Sequence, residues 1–267
     1  NDVIDGGAGA DVMVGGDGND TYTVDNAADL VFEGSGGSSG SADLVNSSLS
    51  FTLGNSIENL TLTGAGDIDG TGNGSDNIIN GSTGSNTLTG GNGDDTLDGG
   101  NDAVADILNG GNDDDTLIWH GSVDTYNGGD DTDTLDVSGV VGSLDFTVLA
   151  DTTVTRIETI KLTGGSGTAI TLDAGDVLDS DDDINPSGGT GGGNTYGGRP
   201  VLTVDGDAGS DSVTLSSGGS DTWFSASGAG GVPSGYALYV HVTGGSNPAD
   251  NEDAYVLVKT GVTVTLN

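Results

Sequence analysis

The sequence predicts an all-β chain: a parallel β-roll, or β-solenoid, followed by a small C-terminal β domain. Three observations carry this expectation. A nine-residue phrase recurs, as GGAGADVMV at 6–14, GGDGNDTYT at 15–23 and GGNGDDTLD at 90–98. Its eighth position is apolar or aromatic throughout. Paired glycines open each phrase, supplying the left-handed backbone that a tight turn needs and other residues resist.

Each phrase reads as a turn and a short strand, with the eighth residue facing inward because strand side chains alternate with period two. In the first block the sixth positions are Asp2, Asp11, Asp20, Asp29 and, after an insertion, Asp43. Their eighth-position partners are Ile4, Met13, Tyr22, Val31 and Val45. Residues 47–71 lack the phrase but keep a strand pattern: Leu49, Phe51 and Leu53 alternate, and IENLTLTG follows at 57–64. Wider coils of the same solenoid are expected there. A close echo, IETIKLTG, stands at 157–164.

The second block runs from Gly72 to Asp136, with one two-residue insertion within 99–109. Its sixth positions are Asn77, Asn86, Asp95, Asp106, Asp115, Asp124 and Asp133. The eighth positions are Ile79, Leu88, Leu97, Leu108, Leu117, Tyr126 and Leu135. Trp119 and His120 stand where paired glycines belong, so an irregular turn is expected. The expected organisation is thus a roll over 1–136, with nonapeptide blocks 1–46 and 72–136, and a β cap over 137–267. In the cap, strands are expected at Leu144–Leu149, Ile157–Leu162, Val201–Val204, Ser212–Leu215, Tyr236–Val242, Ala254–Val258 and Val262–Leu266. Asp173–Leu178 suits one helical turn with Asp173 as N-cap, 187–198 (SGGTGGGNTYGG) suits a loop, and Trp223 suits the core.

Charge sharpens the reading. Asp and Glu number 42 against four Lys and Arg, a formal net charge of −38. Only Glu33, Glu58, Glu158 and Glu252 are glutamates, a bias toward short carboxylates suited to tight turns. Arg156, Lys161, Arg199 and Lys259 all follow the repeats, so the repeat half must use metal or repel itself. Such a field excludes nucleic acid and anionic membrane as partners. No apolar run reaches the length of a membrane span, and cysteine is absent.

The phrase G-G-x-G-x-D-x-U-x is identified as the calcium-binding repeat of the repeats-in-toxin (RTX) family. The tail motifs TLDAGDVLD (171–179), VLTVDGDAGSDSVTL (201–215) and DAYVLVKTGVTVTLN (253–267) resemble the C-terminal ends of large RTX adhesins. The resemblance implies several bound Ca2+ ions, a type I secretion signal, export by the type I machinery of a Gram-negative cell, and a secreted or cell-surface location. It also implies further adhesin sequence N-terminal to Asn1, and the chain is expected to be a monomer. The alternative is the RTX tail of a secreted protease or lipase whose catalytic domain lies upstream. In both cases this segment is not expected to be an enzyme.

The expected metal residues are the twelve sixth-position side chains above, with the third-position residues Asp17, Asn92, Asn112 and Asp130. Turns on one side come from repeats n and n+2, so ions are expected between Asp95 and Asp115, Asp106 and Asp124, and Asp115 and Asp133. The Asn77–Asp95 and Asn86–Asp106 pairs carry less charge and are expected to bind more weakly. Asp205, Asp207 and Asp211 read as a strand-connecting turn, with a further calcium loop as the alternative; Asp179 and Asp181 to Asp183 read as a solvated acidic loop. No H-E-x-x-H motif exists, and GGSSG at 36–40 lacks the strand-to-helix elbow of a nucleophile site.

Overall fold

The computed structural model describes residues 1–33, 42–149, 153–162, 168–173, 195–196, 199–200, 202–206, 211–216, 222–225, 234–242 and 255–266. Among these, regular structure is almost entirely strand, with one short 3-10 turn. The chain divides into two compact units, Asn1–Tyr126 and Asn127–Asn267, upstream of Asp136, where the nonapeptides end.

The first unit is a parallel β-roll. Strands Val3–Asp5, Thr21–Val24, Leu44–Ser47, Asn59–Leu62, Ile78–Asn80, Thr96–Asp98 and Thr116–Ile118 pair in parallel in that order. The alternate strands Phe51–Thr52, Gly70–Thr71, Thr87–Asn92 and Ile107–Asn112 form a second parallel sheet. Val12–Val14 pairs with Leu30–Phe32 in a third. Successive strands therefore enter different sheets, as a coil built from two turn-and-strand phrases requires.

The register stacks the eighth positions on one another. Ile4, Tyr22, Val45, Leu60, Ile79, Leu97 and Leu117 form one continuous column. All except the half-buried Ile4 are fully inaccessible. Each such side chain contributes about 2 kcal/mol of apolar burial. The 47–71 segment joins this column through Leu60, in register with both blocks. Its last strand, Gly70–Thr71, brings Gly70 inward, where a Cβ would lie 3.1 Å from both Ile79 and Leu60. Glycine fits because the neighbouring columns already fill that space.

The second unit keeps the parallel pattern and then departs from it. Thr134–Asp136, Thr159–Lys161, Leu202–Asp205 and Tyr255–Lys259 pair in parallel, aligning Leu135, Ile160, Val204 and Val258. Tyr236–Val242 and Thr222–Ser225 extend that sheet antiparallel. Ser143–Asp145, Ala169–Asp173, Ser212–Ser216 and Thr263–Leu266 form a separate parallel sheet. The strand expected over Leu144–Leu149 stops at Asp145. There the Asp145 carboxylate accepts the Thr147 N–H at 3.2 Å and its hydroxyl at 2.7 Å, capping a 3-10 turn over Phe146–Val148. Asp173 ends a strand. The rest of the expected helical turn, most of the 187–198 loop, the acidic loop at 179–183 and GGSSG at 36–40 lie outside the described residues. For Trp223 only its strand position, opposite His241, is described.

Candidate metal centre

The turns of the first unit are shaped by glycine at defined places. Position two is left-handed at Gly7, Gly16, Gly91, Gly100 and Gly111. Position four is left-handed at Gly9, Gly18 and Gly93, and also at Asp113, with φ 74°. Aspartate tolerates that region better than most residues. Position one is glycine for a different reason. A Cβ on Gly90 would lie 2.2 Å from Asp95 Oδ2 and 2.6 Å from the Gly110 carbonyl oxygen. On Gly15 and Gly99 it would lie 2.5 and 2.7 Å from Oδ2 of Asp20 and Asp106. The first glycine leaves room for the sixth-position carboxylate and a carbonyl of the next coil.

The sixth positions form ladders. One carboxylate oxygen accepts the backbone N–H of the sixth residue one coil earlier: Asp11 to Asp29 at 3.1 Å, Asp20 to Asp43 at 2.6 Å, Asn77 to Asp95 at 2.7 Å, Asn86 to Asp106 at 2.8 Å, Asp95 to Asp115 at 2.8 Å and Asp106 to Asp124 at 3.0 Å. Asp2 N–H donates to Asp20 in the same way. The spacing is 18 residues in a regular coil and 20 where the two-residue insertion falls. Expected partners in the first unit are thus brought together. Asp115 and Asp133 belong to different units.

The second oxygen decides the chemistry. Oδ2 of Asp11, Asp20, Asp43, Asp95 and Asp106 is buried and has no hydrogen-bond donor. A buried carboxylate oxygen without a donor or cation costs free energy. Asp95, Asp106 and Asp115 accordingly have pKa values pushed up to about 7, 6 and 8. Burial is the largest cause in each. The charges of Asp76, Asp94 and Asp113 add to it at Asp95, and the donated Asn77 N–H opposes it. Hard, buried oxygens without donors, beside a glycine that leaves space, fit an oxygen-seeking cation such as calcium.

Asparagine solves the same problem otherwise. Asn77 Oδ1 accepts the Asn73 N–H at 2.7 Å, and its Nδ2 lies 3.3 Å from the carbonyls of Ile57 and Glu58. Asn86 Oδ1 accepts from Ser82 N–H at 2.6 Å, and its Nδ2 donates to the Ile68 carbonyl and to Ser82 Oγ. In the irregular turn, Trp119 is buried and stacks on Tyr126 at 5.0 Å between ring centroids. The Tyr126 hydroxyl donates to Asp124 Oδ2 at 3.0 Å and accepts the His120 N–H at 3.0 Å. His120 Nε2 in turn pairs with Asp98 at 2.7 Å.

The third-position side chains Asp17, Asn92, Asn112 and Asp130 are all exposed, whereas the sixth positions are buried except for the exposed Asp2 and the half-buried Asp11. Asn112 Nδ2 donates to Asn92 Oδ1 at 2.6 Å, and Asp130 lies 3.5 Å from Arg156. Four residues outside the expected set enter the ladders or their surroundings. Glu58 accepts from Asp43 N–H at 3.0 Å and Glu158 from Asp133 N–H at 2.7 Å. The echo of IENLTLTG in IETIKLTG was their signal, because both glutamates stand two residues before the inward Leu60 and Ile160. Asp211 directly precedes the strand Ser212–Ser216, in the connection from the strand Leu202–Asp205 where a strand-connecting turn is expected. It is buried and accepts the Thr168 N–H at 3.0 Å, the ladder bond again, and Gly206 stands five residues before it as position one does. Asp207 lies outside the described residues. Glu33 is the fourth. In the second unit, burial opposes ionisation of Asp136, yet Lys161 Nζ at 2.6 Å and Ser138 hold its carboxyl below the usual range.

A family model for the RTX calcium-binding nonapeptide repeat matches residues 1–30 and 71–103, as four copies. The chain carries RTX repeats and binds calcium. RTX repeats are typical of proteins secreted by Gram-negative bacteria, an extracellular setting in general. No curated protein and no solved structure matches the chain. Among the described residues, no helix is long and apolar enough to cross a membrane.

Proposed function

We propose that this chain is a calcium-dependent folding and secretion module from the C-terminal region of a large adhesin exported by a type I route. The observation that carries the reading is the set of buried sixth-position Oδ2 atoms without donors, in a half of the chain that has no Lys or Arg. The sixth-position aspartates, with turn carbonyls, would hold the ions; the Asn77 and Asn86 turns would hold them weakly. Bound calcium supplies the positive charge that lets these carboxylates be buried. At low calcium the carboxylates repel, and one large apolar residue per nine does not offset the entropy of ordering the backbone. The chain then stays unfolded and able to thread an export channel. Extracellular modules bind calcium with Kd of roughly 10⁻⁴–10⁻³ M, suited to folding outside the cell. The tail motifs support the adhesin and its secretion signal, and the reading assigns no catalytic step to this chain.

The test is a calcium titration of the chelated chain, followed by far-UV circular dichroism and small-angle scattering. Cooperative compaction with gain of β signal in the millimolar range is the expected result. A compact β fold that persists in chelator would overturn the folding switch. For the export half of the reading, type I secretion of a passenger fused upstream should fail when the tail from 137 onward is deleted.

A further inference from the structure

The residue after the strand Leu30–Phe32 is Glu33, at the place where Gly15 follows Val12–Val14 and Gly99 follows Thr96–Asp98. The repeat has glycine there, and Glu33 fills the place with a carboxylate. One of its carboxylate oxygens and one each from Asp20 and Asp43 lie within 4.8 Å of one another. Asp20 and Asp43 are 1% and 0% exposed, and the Oδ2 of each has no donor. The Asn1 α-ammonium is 3.3 Å from Asp20, but at Oδ1, the other oxygen. Glu33 is half-buried and held in place: its Oε2 accepts the Gly16 N–H at 3.2 Å, and its Oε1 accepts the Tyr22 hydroxyl.

We propose that Asp20, Glu33 and Asp43 form a three-carboxylate cation site, with Glu33 as a side-chain ligand that the nonapeptide pattern does not supply. The proposal deepens the calcium reading above and rests on it. Oxygens around one calcium ion lie at 2.3–2.6 Å from it, so two of them are at most about 5 Å apart. The spacing of the three carboxylates suits that radius. Magnesium, with ligands at about 2.0–2.1 Å, would draw them closer and demands a more regular shell. Affinity in such sites rises with ligand charge. This site therefore fills before the two-aspartate turns and prefers trivalent lanthanides. Tyr22, bonded to Glu33, is its optical reporter.

The experiment uses the 267-residue chain. Calcium binding is followed by isothermal titration calorimetry, and terbium by luminescence sensitised through tyrosine. In the unmodified chain the first equivalent of terbium should give the strongest sensitised emission. Glu33→Gln should weaken the tightest calcium class at least tenfold and reduce it by one ion, leaving the other ions and the calcium-loaded β signal unchanged. Tyr22→Phe should lose most of the first-equivalent emission while keeping calcium stoichiometry, and it decides the matter if Glu33→Gln fails to fold. A tightest class unchanged within twofold in folded Glu33→Gln, or undiminished first-equivalent emission in Tyr22→Phe, overturns the site while leaving the general calcium reading intact. No calcium uptake by the unmodified chain overturns both.

Discussion

Within the first unit, the turns at Asn77 and Asn86 and those at Asp95 and Asp106 make the same kind of ladder bond but differ by one atom type. Each asparagine offers an NH2 where aspartate offers a second oxygen, and that NH2 reaches carbonyls of the preceding coil. The aspartates leave a buried Oδ2 with no donor. The difference teaches that one turn can be closed from within by an amide or from outside by a cation. The Tyr126 hydroxyl on Asp124 is a third closure, by a phenol. Calcium dependence should therefore be graded along a sequence that looks uniform.

The largest effect separates the two kinds of coil directly. On chelation, amide hydrogen exchange should lose protection at the Asp95, Asp106 and Asp115 coils before the coils at Asn77 and Asn86. Simultaneous loss everywhere would mean that the roll melts as one block, whatever closes each turn.

Next, Asp95→Asn should convert one kind of coil into the other. It should remove one ion from the calorimetric stoichiometry and lower stability in saturating calcium by roughly 1–3 kcal/mol. At the lowest calcium that still supports the fold it should be neutral or stabilising, because a donor-less buried oxygen costs about 1–3 kcal/mol and the amide relieves it. Destabilisation in both conditions would show that the carboxylate matters for packing alone.

A smaller, graded effect comes from pH. Asp95, Asp106 and Asp115 have folded-state pKa values near 7, 6 and 8 without calcium, well above their unfolded values near 4. Between those limits the folded state binds more protons than the unfolded state, so apo stability falls as pH rises from about 4 to about 8. Protons compete with calcium for the same oxygens, so the calcium midpoint should move the opposite way, to lower concentration as pH rises. Circular dichroism at pH 5 and pH 8, with and without calcium, reads both slopes. Parallel slopes would contradict this account.

The smallest effect belongs to Tyr126→Phe, which removes the hydroxyl from Asp124 and His120. A loss of about 1 kcal/mol is expected at the lowest calcium that still supports the fold, with partial recovery in saturating calcium as that turn becomes cation-dependent. Thermal melts in the two conditions compare these values.

The nonapeptide register made the inward column and the Asp-to-Asp ladder legible in advance, because a fixed period specifies which side chains face inward and which meet one coil on. The two-residue insertion within 99–109 likewise reappears as the longer 86-to-106 step. What escaped was whatever kept the geometry while changing the letter. Glu58 and Glu158 take an aspartate's place with a longer arm, and Glu33 takes a glycine's. The side chains of Asp17, Asn92, Asn112 and Asp130 recur as regularly as the sixth positions, yet they face solvent, since a repeat fixes position without fixing which part of the residue is used. Asp145 ended a strand through a local hydrogen bond with Thr147 that strand propensity does not register.

The ladder bond also constrains how this molecule can change length over generations. It skips every other phrase, so Asp2, Asp20 and Asp43 share one string, and Asp11 and Asp29 another. Losing a single phrase from the gene would move all later side chains to the opposite string. Losing a pair removes one whole coil, 18 residues in the regular case, and leaves both strings matched. Duplication and deletion are thus tolerated in even steps. Other lengths break that count without changing string, as the 23-residue step between Asp20 and Asp43 does.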